Sequence, residues 1–542
     1  MLQSLNAYAA LDAIGEHSRV GDQARWPALV GPKDLLKVSA SHVDQLARGC
    51  GMHGALKVRP QLKSAVWAQR YDNDQPFLLG LIRDLCFTFH GEPRAEEWEG
   101  LNDLLNKSLS RFALQPGLQK YIRTAVENYL ECHDVIQQDL GPLRLKTCDP
   151  VVSVGPNNLL TVWAPVYESD SGTREVRRLR LGSARRSGAE IDPWTVVAAH
   201  VASLVRPVGD LRRIRVIEVG MGDGSVEVTF DGTPQEAVAN YQSLAVPRIL
   251  KIISADTYTP GYSCKDCKIA GCCDSIEKLD GFLGQSNPGA GTRSVSARDI
   301  ETYETCPAQW HLSRSALLPR ADTNGPASVR GISVHRLLAE AHSSSSRCTT
   351  EDLHDSLGRD ANMSEGERFE VEPYLANHTV SCPVEDAVQV IGSEISIYGY
   401  DAQADVIVVT KPDMVYLDQN ANLVIREIKT TKREIPVDEA DAFDQFLAVA
   451  WLINLFGSGY RGPLRSEKAR LELEVISPTE SRVFAWDLGD QGLLRMARKE
   501  VLMRARGWHN DTTWEATPGK HCGWCPVQKW CPDAMAGEDS SP

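Results

Sequence analysis

Residues 406–434 read VIVVTKPDMVYLDQNANLVIREIKTTKRE, and this stretch decides the fold. VIVVT and DMVYL are rich in β-branched and aromatic residues, DQNAN carries turn formers, and NLVIREIKTT resumes a strand pattern, which predicts a β-hairpin. Side chains alternate along a strand, so Glu427 and Lys429, two apart, leave one face. Asp413 sits on the neighbouring strand. Two carboxylates and a lysine converging on one face suit a divalent cation and a water aligned for attack on a phosphodiester. An isolated Glu-x-Lys pair is more often a salt-bridged strand face, so the weight rests on what surrounds it.

Outward from the hairpin, the cysteines organise the chain. KHCGWCPVQKWC (520–531) sets Cys522, Cys525 and Cys531 in the spacing Cys-x2-Cys-x5-Cys, and CKDCKIAGCC sets Cys264, Cys267 and Cys273 in the same spacing, with Cys272 leaving the last ligand of that set ambiguous. Three thiolates make an incomplete site, since thiolate-held zinc and iron-sulfur centres take four protein ligands. Upstream, SASHVDQLARGC leads to Cys50 and SVSARDIETYETC leads to Cys306 by the same kind of segment. Cys50 precedes Cys264 by 214 residues, and Cys306 precedes Cys522 by 216. The repeated long gap predicts a tandem duplication in which each domain joins its two ends through four cysteines. One distant cysteine with a distal triplet favours a 4Fe-4S cluster, one or two per chain, over zinc, which typically uses paired short hooks. Cys86, Cys132, Cys148, Cys348 and Cys382 read as core residues. The Gly/Ser/Pro/Asn-rich LDGFLGQSNPGAGTRS (279–294) marks a linker over 281–294 between domains 1–280 and 295–542.

A chain of 542 residues exceeds one core. Fourteen cysteines without a secretory leader pattern point to metal ligation in the cytoplasm rather than disulfides, and no window resembles a membrane span. The net charge of -14 argues against coating nucleic acid by bulk electrostatics, yet leaves room for a local basic groove or a metal-bridged phosphate site.

Asp413 followed by Glu427-Ile428-Lys429 on a hairpin resembles the PD-(D/E)XK nucleases. GISVHRLLAEA, with His335 in a helical G-x-x-x-H segment, and DAFDQFLAVAWLI, with Gln445, resemble the RecB-type branch; the cysteine frame resembles its AddB-like and CRISPR-associated iron-sulfur members. The resemblance spans roughly residues 294 to 533 and departs in Glu427, where Asp is frequent, and in Val449, where a tyrosine is frequent. It implies an α/β fold of two tandem restriction-endonuclease-like domains, each a mixed sheet flanked by helices and closed by a four-cysteine cluster. It further implies that His335, Asp413, Glu427 and the Ile428 carbonyl hold Mg2+ or Mn2+, that Lys429 activates the water, and that Gln445 orients Lys429 or the strand. Cys306, Cys522, Cys525 and Cys531 would hold one cluster, and Cys50, Cys264, Cys267 and Cys273 a second. The activity implied is a DNA nuclease acting on single strands or free ends in repair, recombination or antiphage defence. No P-loop occurs, so a helicase or another repair or defence protein is the expected partner. The rival reading is a non-catalytic, cluster-stabilised DNA-binding or assembly subunit.

In the first half, TVWAPVYESDSGTREVRRLRLGSARR occupies the hairpin's place, with Val166, Arg180 and Gly182 near the positions of Asp413, Glu427 and Lys429. Val196 stands where Gln445 does. The first domain is therefore expected to be inactive, and its basic run is a candidate phosphate-backbone contact. RVIEVGMGDGSVEV imitates a methyltransferase glycine motif, but an alternating strand follows the glycines where that motif needs a helix, which makes GMGDG a hairpin turn.

Overall fold

The computed structural model describes residues 29–534 apart from 33, 47–48, 65–77, 89–102, 104, 108, 111–113, 186–190, 207–209, 280, 286–292, 322–324, 344–346, 361–362, 385–388 and 458–467. The expected linker thus lies partly outside the described residues. The chain forms two compact units: residues 1–275 with 312–320 and 529–532, and residues 276–311 with 321–528 and 533–542. No described helix is long and apolar enough to cross a membrane.

The first unit contains β1 (Leu36–Ser39), α1 (Ala40–Gln45), α2 (Pro116–Leu140), β2 (Leu143–Cys148), β3 (Val151–Gly155), β4 (Asn158–Thr161), β5 (Pro165–Ser169), β6 (Thr173–Arg180), α3 (Pro193–Leu204), β7 (Arg213–Gly220), β8 (Val226–Gly232) and α4 (Val246–Ser254). Its main sheet runs β8-β7-β6-β5-β2, and β1-β4-β3 form a smaller sheet. β6 and β7 are parallel and so require a crossover, which α3 supplies. That explains why WTVVAAHVA is largely apolar on every side: Trp194 to Ala202 are all buried. The glycine-rich GMGDG joins β7 to β8 as an antiparallel hairpin, with Gly224 at φ +72° and its N–H on the Gly220 carbonyl at 2.8 Å. The methyltransferase imitation is thereby dismissed.

The second unit follows with β9 (Arg293–Val295), α5 (Ala297–Thr305), α6 (Pro326–His342), α7 (Thr350–Arg359), α8 (Glu365–Ser381), β10 (Gln389–Ser393), β11 (Ile397–Asp401), β12 (Val406–Thr410), β13 (Met414–Leu417), β14 (Leu423–Thr430), α9 (Glu439–Gln445), α10 (Leu447–Gly457), β15 (Ala469–Ile476), β16 (Ser481–Asp487) and α11 (Gln491–Asn510). Its main sheet runs β16-β15-β14-β13-β10. β14 and β15 are parallel, and the apolar α10 lies in the crossover. One face of the sheet packs Leu423, Ile425, Leu471 and Leu473 with α10 and α11. The other packs Val424, Ile428, Met414 and Ile476 with side chains of α6, α7 and α8.

The two main sheets share strand order and strand directions. They also share irregularities. The outer pairing slips by one residue between Leu145 and Thr147 opposite Tyr167, and between Val390 and Gly392 opposite Tyr416. An acidic residue in the left-handed region follows each outer strand, Asp149 at φ +49° and Glu394 at φ +55°. Each gives its N–H at 3.1 Å to the chain entering the inner strand, to the Ala164 carbonyl and the Asp413 carbonyl respectively.

Candidate active site

The hairpin of β13 and β14 holds the predicted residues at one place. Met414 pairs with Arg426, which sets Asp413 beside the Glu427–Lys429 stretch. Asp413 Oδ2 accepts the Ile428 N–H at 2.6 Å, and its Oδ1 lies 2.5 Å from His335 Nδ1. Lys429 Nζ donates to Glu427 Oε1 at 2.5 Å, and the lysine side chain keeps 32% of its surface exposed. Lys429 is thus the member of the pair within reach of an arriving substrate.

His335 reaches the hairpin because α6 comes close to the end of β14. A Cβ added at Gly331 would meet Thr430 Oγ1 at 3.3 Å, so the glycine of the G-x-x-x-H segment is what allows the approach, and His335 stands one helical turn further on.

Electrostatics tie these groups together. Burial opposes a charge on Asp413, but the His335 hydrogen bond and charge, Lys429 and the Ile428 N–H together hold its carboxyl below the usual range. Burial pushes Glu427 upward against the pull of Lys429, and Asp413 adds to the rise. Burial likewise opposes the cationic forms of His335 and Lys429, yet Asp413 raises the first, and Glu427 with Asp413 raises the second. Two carboxyl groups, Asp413 and Glu427, therefore face the His335 imidazole and the Lys429 amine. A divalent cation can take the place of the proton on His335, because a metal ligand must be the neutral imidazole.

Sequence reasoning missed Glu394. Ligand atoms of His335, Glu394 and Asp413 all lie within 4.8 Å of one another, and Lys411 forms an ion pair with Glu394. The residue is invisible in a strand pattern because it sits at a turn; its signal is structural, a bulky side chain held at positive φ, a costly conformation that concentrates at functional sites. Gln445 is not brought in. The expected single glutamine helix breaks at Phe446, which leaves the helical region at φ -118° and ψ 102°. Gln445 ends α9 exposed, and among the described residues it makes no hydrogen bond to Lys429.

In the first unit the shared bulge and left-handed turn place Ala164, Arg178 and Arg180 at the positions of Asp413, Glu427 and Lys429. This moves the expected equivalents by two residues from Val166, Arg180 and Gly182. Arg178 bonds Asp44 and Asp192 at 2.8 and 3.1 Å, and Arg180 pairs with Glu218. Arg174 and Arg177 are fully buried against Glu168 and Glu175. Arg174, Arg177, Arg178 and Arg180 are thus engaged with carboxylates of their own unit, which weakens the phosphate-contact reading for these four.

The cysteine ends also correspond. Thr259 N–H points at Cys50 Sγ and Thr517 N–H at Cys306 Sγ, both at 3.5 Å. Gly261 N–H meets Cys264 Sγ at 3.3 Å and Gly519 N–H meets Cys522 Sγ at 3.4 Å. The shared Thr-Pro-Gly of TPGYSCKDC and TPGKHCGWC builds these contacts, a signal present in the sequence beside the cysteine spacing. Burial raises the Cys267 thiol to about 12, and the nearby Cys264, Cys50 and Cys273 thiols add to the rise. Cys272 turns its thiol to the Ile269 carbonyl at 3.5 Å. Cys531 lies in the 529–532 segment that groups with the first unit.

No curated protein matches the chain. Among solved structures, the crystal structure of SSO0001 is similar at 11% identity, with 45% of this chain and 87% of that one covered and a TM-score of 0.22. Residues 294–532, which carry His335, Glu394, Asp413, Glu427 and Lys429, match the family model of the PD-(D/E)XK nuclease superfamily.

Proposed function

We propose that the second unit is a metal-dependent nuclease that hydrolyses phosphodiester bonds of DNA at single strands or free ends. The observation that carries the reading is the convergence of His335, Glu394 and Asp413 next to the Glu427–Lys429 pair, within a segment matching a nuclease family. The donor set of one imidazole and carboxylate oxygens fits Mg2+ or Mn2+. His335, Asp413 and Glu427 would hold the ion, with the Ile428 carbonyl as a further ligand. When bound, the ion supplies Lewis-acid polarisation of the phosphoryl oxygen and lowers the pKa of a water. Lys429 orients that water and balances charge on the phosphoryl oxygens, while the Ile428 N–H and His335 fix the two oxygens of Asp413. Glu427 keeps the lysine protonated and aimed.

In this proposal the two units descend from one duplicated domain, and the first has exchanged its cation site for fixed guanidinium groups. The shared bulge, left-handed acidic turn and Thr-Pro-Gly arms support it. The cysteine sets Cys50, Cys264, Cys267 and Cys273, and Cys306, Cys522, Cys525 and Cys531, would hold one or two 4Fe-4S clusters. A repair or antiphage role beside a helicase follows from the family resemblance.

The test is anaerobic purification followed by iron analysis and a cleavage assay on labelled single-stranded and duplex DNA with Mg2+ or Mn2+. Cleavage that requires the ion and disappears in Glu427→Gln supports the nuclease; DNA binding without cleavage transfers the protein to the assembly-subunit reading. Stoichiometric iron supports the clusters, and protein free of iron removes them.

A further inference from the structure

A second set of metal-ligand side chains stands in the second unit, away from the hairpin carboxylates, where sequence reasoning saw only core cysteines. His342, Cys348, His378 and Cys382 are all buried, and their ligand atoms all lie within 4.8 Å of one another. His342 ends α6, Cys348 precedes α7, His378 lies in the last turn of α8, and Cys382 follows that helix directly. His378 Nε2 faces His342 Nε2 at 3.2 Å, and Cys382 Sγ is 3.8 Å from His342 Nε2. The Cys348 N–H points at Cys382 Sγ at 3.5 Å. A tetrahedral zinc with Zn–N of about 2.0–2.1 Å and Zn–S of about 2.3 Å spaces its ligand atoms at about 3.3 Å for N···N and about 3.6 Å for N···S.

The surroundings complete the pattern. His378 Nδ1 lies 2.8 Å from Glu474 Oε1, and that oxygen already accepts the Ser381 and Ser481 hydroxyls at 2.6 and 3.0 Å. Arg426 donates to the other oxygen at 3.2 Å. An ionised carboxylate so surrounded accepts the Nδ1 proton, which leaves the Nε2 lone pair of His378 aimed at His342. This is the carboxylate–histidine arrangement that orients imidazoles on metal ions. Two imidazoles and two thiols meeting in a dry site have no other evident use in packing, since apolar side chains would fill the space without the cost of burying four polar heads.

We propose that His342, Cys348, His378 and Cys382 bind one structural Zn2+ that clamps α6, the start of α7 and the end of α8 against Glu474 on β15. Two nitrogen and two sulfur ligands suit zinc, and four protein ligands make a closed, structural site rather than a catalytic one. The clamp reaches the active site through α6: His342 follows His335 by seven residues, about two turns and 10.5 Å along the same helix face. His342 is thus a positioning residue for His335. The sequence signal was present as His-x5-Cys and His-x3-Cys, AHSSSSRC and NHTVSC, on separate helices.

The experiment measures zinc and iron together in the full chain, purified anaerobically and washed with a weak chelator, and reads the zinc ligands by X-ray absorption at the zinc edge. The expected result is about one zinc per chain with two sulfur and two nitrogen neighbours, lost in the Cys348→Ser/Cys382→Ser double variant without loss of iron. A zinc shell of four sulfurs, zinc content unchanged in the double variant, or a Cys348–Cys382 disulfide found by mass spectrometry overturns the proposal. Should the double variant fail to fold, the absorption edge of the unaltered protein decides alone.

Discussion

The hairpin of the first unit and the hairpin of the second have the same register and opposite electrostatics. Where the second has Asp413, Glu427 and Lys429, the first has Ala164, Arg178 and Arg180. The first settles its buried carboxylates with guanidinium groups that cannot leave; Glu218, nearly inaccessible, is held by Arg178 at 3.4 Å and by Arg180. The second gathers Asp413 and Glu394 around the imidazole of His335, a set of side chains that could hold a cation. The comparison teaches that the sheet tolerates either solution, so chemistry on this scaffold depends on whether the counter-charge is fixed or exchangeable.

The largest effect should come from removing a carboxylate of the second hairpin. Glu427→Gln is expected to lower Mg2+-dependent cleavage by about 10³-fold or more, equivalent to several kcal/mol of lost stabilisation by the ion and its water. Circular dichroism and iron content should stay as they are. Cleavage at the unaltered rate would place the chemistry elsewhere.

The matching change in the first unit should strike stability instead. Arg178 is 9% exposed and bridges Glu218, Asp44 and Asp192, so Arg178→Ala removes several charge-assisted hydrogen bonds while Arg180 still faces Glu218, and should cost about 2 kcal/mol in urea unfolding. The chemical step should not change. A slower step with unchanged stability would mean that the first unit takes part in catalysis.

A finer comparison uses the two acidic residues at positive φ. Glu394→Gln should weaken the apparent Mn2+ or Mg2+ affinity by about 10-fold or more, since it changes a group at the cation site. Asp149→Asn, which removes the carboxylate paired with Arg83 in the first unit, should leave metal dependence alone. Equal effects of the two would break the distinction between an exchangeable and a fixed counter-charge.

The smallest effect concerns the arm that leads to Cys522. Burial opposes the charge on Asp511, but the Trp514 and Thr513 N–H groups and the Tyr303 hydroxyl hold its carboxyl below the usual 3.8. A depressed carboxyl contributes stability that is present above its ordinary pKa and lost as pH falls through the folded value. Asp511→Ala should therefore cost about 1 kcal/mol at pH 7, the size of a lost capping bond, with the difference shrinking below pH 4. A difference that persists unchanged at low pH would assign the effect to packing.

Local patterns made the hairpin legible: alternation, turn chemistry and the two-residue spacing of Glu427 and Lys429 survive into the structure as written. The cysteine arms were equally legible because their spacing recurs. Counting failed where the fold does not count evenly. Loops of unequal length, which residue spacing does not reveal, put the first-unit equivalents two residues from Val166, Arg180 and Gly182. The break at Phe446, which a helix-period pattern does not reveal, leaves Gln445 at the exposed end of α9. Glu394 and the His342–Cys382 set were not read because their partners come from separate elements, and burial alone makes a cysteine look like any other core residue.

The bonds from Thr259 to Cys50 and from Thr517 to Cys306 span 209 and 211 residues. Closing a loop of that length costs about 5 kcal/mol of chain entropy, and contacts of such separation form late and slowly. Each unit therefore cannot seal its ends until its final arm has been synthesised, whereas the sheet between them pairs through much shorter connections. On a growing chain, the first arm is complete before the second domain's strands exist, so the two seals close one after the other rather than competing for the same cysteines. On the proposed duplication, a clasp at the ends of each copy would carry its own protection against mispairing, in the timing of synthesis.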